Sequence, residues 1–103
     1  MSAIILTYRL KEGVSPADFE TWVKETDQPA IRGLERVKAF DTFRITGPLM
    51  GEGVPSLHYV ELFHVPDLPS FLGENMGGAV VQAIMGQFMG FADAPEFMVA
   101  EKV

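Results

Sequence analysis

At 103 residues the chain has room for one domain with one modest core. An apolar content of 48% belongs to a folded globule, and the lack of cysteine removes disulfides, thiolate nucleophiles and thiolate metal sites. The net charge of −6 argues against nucleic acid and anionic membrane surfaces as partners. Half of the eight basic residues nevertheless fall in thirteen positions, as Arg32, Arg36, Lys38 and Arg44, which leaves room for a local anion site.

The opening MSAIILTYRL lacks the basic start, apolar run and small-residue cleavage site of a signal peptide. Residues 3–10 (AIILTYRL) are short and β-branched, and predict a strand ended by Gly13. Ser15 then caps a helix, with Pro16 at its first position and Asp18 completing the box. Phe19, Trp22, Val23 and Thr26 fall on one face of that helix, which Pro29 should stop near Asp27. A turn over 30–34 leads to strand two, 36–46, closed by Gly47-Pro48. The loop 49–55 and strand three, 57–65, follow, and Pro66 ends that strand.

Asp67-Leu68-Pro69-Ser70 opens a helical stretch interrupted at 73–78. The main second helix is predicted over 78–89, with Val80, Val81, Ile84, Met85, Phe88 and Met89 on one stripe. The uncharged run 75–92 is long, yet its four glycines and two glutamines make it a poor membrane span. It is expected to be a core helix of a cytoplasmic protein. A last strand covers 96–101. The order is βαββαβ, so the expected fold is α+β and ferredoxin-like, one domain over residues 1–103.

In that topology both helices cover one face of the sheet, yet the strands are apolar on both sides. Strand one sets Ile4, Leu6 and Tyr8 against Ile5. Strand three sets Val60 and Leu62 against Tyr59, Phe63 and Val65, and strand four Phe97 and Val99 against Met98 and Ala100. An uncovered apolar face is a sticky patch, so a homodimer closing sheet on sheet, a dimeric α/β barrel, is expected. A monomer covered by loop 49–55 or by the C-terminus is the alternative.

The block ETDQPAIRGL and the strand ending FRITG, with HYVELFHV, VQAIMGQFMGF and APEFMVAEKV, resemble the family of small proteins related to RedY and HapK of prodigiosin-type pigment pathways. The likeness runs over nearly the whole chain. It implies a dimeric α/β barrel and a cyclising or dehydrating enzyme acting on a small aromatic, pyrrole or polyketide-like intermediate, with neither metal nor organic cofactor. In the related olivetolic acid cyclase type, a strand-three histidine faces a pocket between sheet and helices. The context Leu57-His58-Tyr59-Val60-Glu61-Leu62 is similar, while the second histidine of those cyclases has no counterpart at the matching place.

On that resemblance His58 lies on the helix side with Tyr8 and is the candidate general base, its pKa near working pH. Tyr8 would hold or protonate an enolate oxygen. A histidine bonded to backbone at a sheet edge is the structural alternative. His64, six residues on, is too far for a shared metal and is expected to be solvated. Phe19 and Trp22, with Phe43, Met85 and Phe88, either wall an apolar pocket or simply fill the core. Asp27 sits at a helix C-terminus, where its charge is unfavourable, so Arg32 is expected as its partner, pinning the turn or gripping substrate at the pocket mouth. Asp41 and Glu61 interrupt apolar strands. Arg44 is placed to neutralise one of them, and a polar network in the dimer core is expected.

Two functions therefore stand: a cofactor-free cyclase or dehydratase, and a carrier for a hydrophobic aromatic metabolite. The strand and helix pattern of haem-degrading or quinol monooxygenases is not met, because strand one has Thr7, the sole tryptophan is Trp22, and helix two has no histidine.

Overall fold

A computed structural model describes residues 2–103. β1 (Ser2–Leu10) leads through the left-handed turn at Gly13 (φ +85°) to α1 (Pro16–Trp22). Ser15 Oγ accepts from the Asp18 amide at 3.3 Å, and Pro16 occupies the first turn, as the capping pattern predicts. The chain does not break at Pro29. One π-helical turn, Val23–Asp27, runs straight into α2 (Gln28–Arg32), with Gln28 N–H donating to the Val23 carbonyl. Pro29 sits in the first turn of α2, where a missing N–H costs least, and this is why it interrupts nothing.

The π turn also keeps one stripe pointing inward. In a regular α-helix residues four apart drift by about 40° per step. The wider turn takes up that drift, so Phe19, Val23, Asp27 and Ile31 are all buried.

β2 is shorter than expected, Ala39–Arg44, and β3 spans Tyr59–Val65. α3 (Leu68–Phe71) is capped by Asp67, which accepts from the Ser70 amide and hydroxyl. A second π turn, Leu72–Met76, precedes α4 (Ala79–Phe91), and β4 (Ala92–Glu101) starts earlier than predicted. The sheet order is β2-β3-β1-β4, antiparallel throughout. This is the ferredoxin-like α+β arrangement. Pro95 lies inside β4 at a bulge, where the register with β1 shifts between Thr7 and Arg9 and Ala94 takes φ +51°. The edge position of β4 tolerates it.

The β1–β3 register pairs Tyr8 with Tyr59, Leu6 with Glu61 and Ile4 with Phe63. Paired residues share a face, so Tyr59, Glu61, Phe63 and Val65 lie under the helices with Tyr8. Val60 and Leu62 lie on the outer face beside Ile5, and His58 and His64 keep the same alternation. This reverses the expected sides of strand three. Phe63 and Val65 lie on the core side, and Glu61 is buried beneath the helices rather than on the outer face expected to pair.

Two apolar clusters fill the helix side. One gathers Leu6, Tyr8, Leu10, Phe19, Val23, Tyr59, Phe88 and Ala92; the other gathers Ile31, Val37, Phe40, Val65, Phe71 and Ile84. Loop 49–55 covers nothing, since Leu49, Met50 and Val54 are almost fully exposed. Phe40 stacks on Phe63 with ring centroids 4.3 Å apart, across β2 and β3. Truncating Phe40 to alanine should cost about 3–5 kcal/mol, read as a lowered urea midpoint at constant m; a loss under about 1 kcal/mol would show that this pair does not anchor the second cluster.

Candidate functional site

A cavity of about 270 Å³ lies between the two clusters, bounded by both π turns, α4 and the sheet. Its walls include Leu6, Ile31, Phe63, Phe71, Ile84, Met85 and Phe88, and the exposed Leu72, Phe97 and Val99 form its rim. Only two of the side chains lining it are polar, Asp27 and Glu61. Both are buried, at 3% and 2% exposure.

Each carboxyl is there for a local reason. Asp27 ends the first π turn and is turned inward by it. Burial alone pushes its pKa up to about 7. Glu61 is the one charged residue on the inner side of β3. Its pKa is pushed up to about 8, chiefly by burial. The hydrogen bond from Tyr8 pulls the other way, and nearby Asp27 raises it further. The Tyr8 hydroxyl donates a hydrogen bond to Glu61 Oε2. The tyrosine is locked by aromatic contacts: stacked on Tyr59 at 5.6 Å, and edge-on to Phe19 at 5.8 Å and Phe88 at 4.8 Å. Burial and then Glu61 push the pKa of Tyr8 far up, so its hydroxyl keeps its proton. The site therefore offers two carboxyls that hold or release protons near neutral pH, one of them oriented by a tyrosine.

His58 is not part of it. It precedes β3 on the outward side, exposed, and its Nδ1 accepts from the Leu10 amide at 3.0 Å. The reversed parity of strand three is the cause, and the imidazole ties the end of β1 to the start of β3 instead. His64 is half-buried rather than solvated, with Nε2 shielded and lacking a hydrogen-bond partner.

Arg32 does not meet Asp27. It donates from Nε to the Phe40 carbonyl at 3.0 Å and from Nη2 to Asp41 at 3.2 Å, because α2 continues past Pro29 and carries Arg32 to the β2 side. Arg44 is taken by Glu20, through Nε at 2.8 Å and Nη2 at 2.9 Å, so it neutralises neither Asp41 nor Glu61. Phe43 points to the outer face and is 51% exposed. Of the expected pocket walls, Met85 and Phe88 line the cavity, whereas Phe19 packs in the first cluster. Trp22 bridges the clusters and bonds Gln87 through Nε1 at 2.7 Å. The residue that sequence reasoning undervalued is Glu61. Its signal was present: a lone acid in an apolar strand.

Among the described residues no group of three or more histidine, aspartate or glutamate side chains could hold a metal ion. No helix in the described residues is long and apolar enough to cross a membrane.

The two raised carboxyls make stability pH-dependent. A carboxyl with a higher pKa folded than unfolded binds more protons in the native state, so its contribution is full below the unfolded value and is lost as pH rises through the folded one. Native stability should fall as pH rises from about 4, the ordinary carboxyl value, and level off above about 7 for Asp27 and about 8 for Glu61. At alkaline pH, Asp27→Asn and Glu61→Gln should each raise stability by roughly 2–4 kcal/mol, measured by urea unfolding; unchanged or lowered midpoints would contradict the raised values.

The model of the family described as REDY-like protein HapK matches residues 2–103. The chain resembles the crystal structure of HapK from Hahella chejuensis, at 26% identity and TM-score 0.81, covering 100% of this chain and 93% of that one. A protein described as of the ethyl tert-butyl ether d (ethd) family, from Bacillus halodurans, is 22% identical, with TM-score 0.80 and coverage of 100% and 99%. Hydroxynitrile lyase from Passiflora edulis has the same fold at 10% identity, TM-score 0.79 and coverage of 96% and 90%. No curated protein sequence matches. With a family match over all but its first residue, the chain belongs to the HapK family of REDY-like proteins.

Proposed function

We propose that this protein is a cofactor-free acid–base enzyme that cyclises or dehydrates a small aromatic, pyrrole or polyketide-like intermediate. The observation that carries the reading is the pair of buried carboxyls, Asp27 and Glu61, at one apolar cavity. A proton-transfer catalyst works best with a pKa near working pH, and burial brings both groups there. Asp27, the weaker-held proton, serves as base and removes a proton alpha to a carbonyl. Glu61, still protonated, donates to the oxygen that becomes an enol or leaves as water. Tyr8 fixes the Glu61 carboxyl in place and is a positioning residue. The apolar walls hold the reacting ends of a flexible substrate together, which supplies much of the acceleration. His58, on the outer side, has no part in this scheme.

The test uses aryl and pyrrolyl ketones in deuterium oxide, with exchange of the alpha protons followed by NMR and ring closure or water loss by mass spectrometry. Wild type should accelerate exchange, and Asp27→Asn should lower kcat by about 10²–10⁴. The profile of kcat/KM should be a narrow bell between about 7 and about 8, limited by Asp27 on the acid side and Glu61 on the alkaline side. Binding of these compounds without exchange or product would leave a carrier as the function.

We also propose that the chain works as a homodimer joined through the outer sheet face. Ile5, Val60, Leu62 and Phe43 share that face, and no helix or loop among the described residues covers it. Sedimentation should give twice the mass of the chain. Leu62→Asp should halve it with the fold retained; a monomeric wild type would sink the dimer.

A further inference from the structure

The cavity has a charge preference that its chemistry dictates. Every polar side chain on its wall is an acid, and no lysine, arginine or histidine lines it. The nearby arginines are committed elsewhere: Arg32 to Asp41, Arg44 to Glu20, Arg36 to Glu74 and Arg9 to Asp93. A ligand's polar head therefore meets only carboxyls. A ligand carboxylate would be buried against two like groups with no cation to offset it. A ligand cation would meet two carboxyls and also the rings of Phe63, Phe71, Phe88 and Phe97, which line the same space. Size narrows the body as well. A cavity of about 150 Å³ accommodates benzene, so 270 Å³ suits one substituted ring.

We propose that this cavity selects a ligand with one ring-sized apolar body and a cationic nitrogen, an ammonium or a protonated imine, and rejects carboxylates of the same shape. This rests on Asp27 and Glu61 being the proposed site, and it adds the charge class of what enters. Charge balance follows from burial: one cation calls for one carboxylate, so on average one of the two carboxyls, chiefly Asp27, ionises fully as the cation arrives and gives its proton to solvent, while the other, chiefly Glu61, keeps its proton. Among the groups lining the cavity, Asp27 from the first π turn and Glu61 from β3 are the only titratable ones, and Tyr8 on β1 keeps its proton.

Three probes of matched shape make the test: benzylamine, benzyl alcohol and phenylacetate, titrated calorimetrically into the full chain at neutral pH in two buffers of different ionisation enthalpy. The amine should bind at least about tenfold tighter than the alcohol and with proton release, and phenylacetate should not bind detectably. The double variant Asp27→Asn, Glu61→Gln should lose the preference and the proton release; circular dichroism confirms its fold. Each single variant should lose part of both, which keeps the test open if the double variant fails to fold. Equal affinity for amine and alcohol, binding of phenylacetate, or no binding of any probe would overturn the proposal. Cation preference without proton exchange on any ketone would overturn the catalytic reading and leave this inference standing.

Discussion

Everything about this site depends on Tyr8 reaching Glu61 inside an apolar layer. A carboxyl under two helices has no water to solvate it, and its isolated charge would be costly. The hydrogen bond from Tyr8 is what the fold supplies instead. It requires the β1–β3 register in which Leu6 opposes Glu61 and Tyr8 opposes Tyr59. Tyr8 is then the diagonal neighbour of Glu61 on the same face, within reach of a long aromatic side chain. A slip of one residue would put Glu61 on the outer face and remove the site.

The core is split by the same demand. Two clusters of aromatic and branched side chains pack on either side of the carboxyls, and the space between them stays open. A single dense core would be more stable, because unfilled volume forfeits dispersion contacts. Two π turns border the gap, and each replaces regular helix. Wide turns of this kind are rare in ordinary helices and concentrate at working sites. Here the first one has an identifiable task, holding Asp27 in line with Phe19, Val23 and Ile31.

The sequence disclosed the fold more readily than the site. The Ser15-Pro16 start, the strand compositions and the stripe on α4 each reflect a local rule, and they yield βαββαβ without tertiary knowledge. Strand parity is different. Alternation assigns faces only when one side is polar, and β3 is apolar on both. Nothing in its own residues says whether Val60 or Glu61 points inward, so His58 looked like the pocket residue and Glu61 the buried oddity. The partner strand decides, through pairing no single segment contains. The π turn was equally invisible, since Pro29 reads as a stop wherever regular helix is assumed. Arg32 inherited that error: ending the helix at Asp27 leaves Arg32 near it, whereas continuing carries it to Asp41.

The two ends of the aromatic core show how the charges were sorted. Tyr59 stacks on Tyr8, yet its hydroxyl donates to Glu20 at 2.7 Å rather than to a cavity carboxyl. Glu20 is held down to about 2 by the Arg44 guanidinium and by that tyrosine, so it stays ionised. Glu61 has a tyrosine but no arginine, and it is pushed up to about 8. The same two residue types thus meet opposite fates on stacked rings, and the difference is the cation. Confining Arg44 to Glu20 in the groove between the first helical run and edge strand β2, with Arg32 held by Asp41, keeps positive charge away from Asp27 and Glu61. An arginine in the cavity would lower both carboxyls toward their ordinary values and abolish their ability to exchange protons near neutral pH. The acidity balance of the site is therefore made as much by where the arginines go as by the carboxyls themselves.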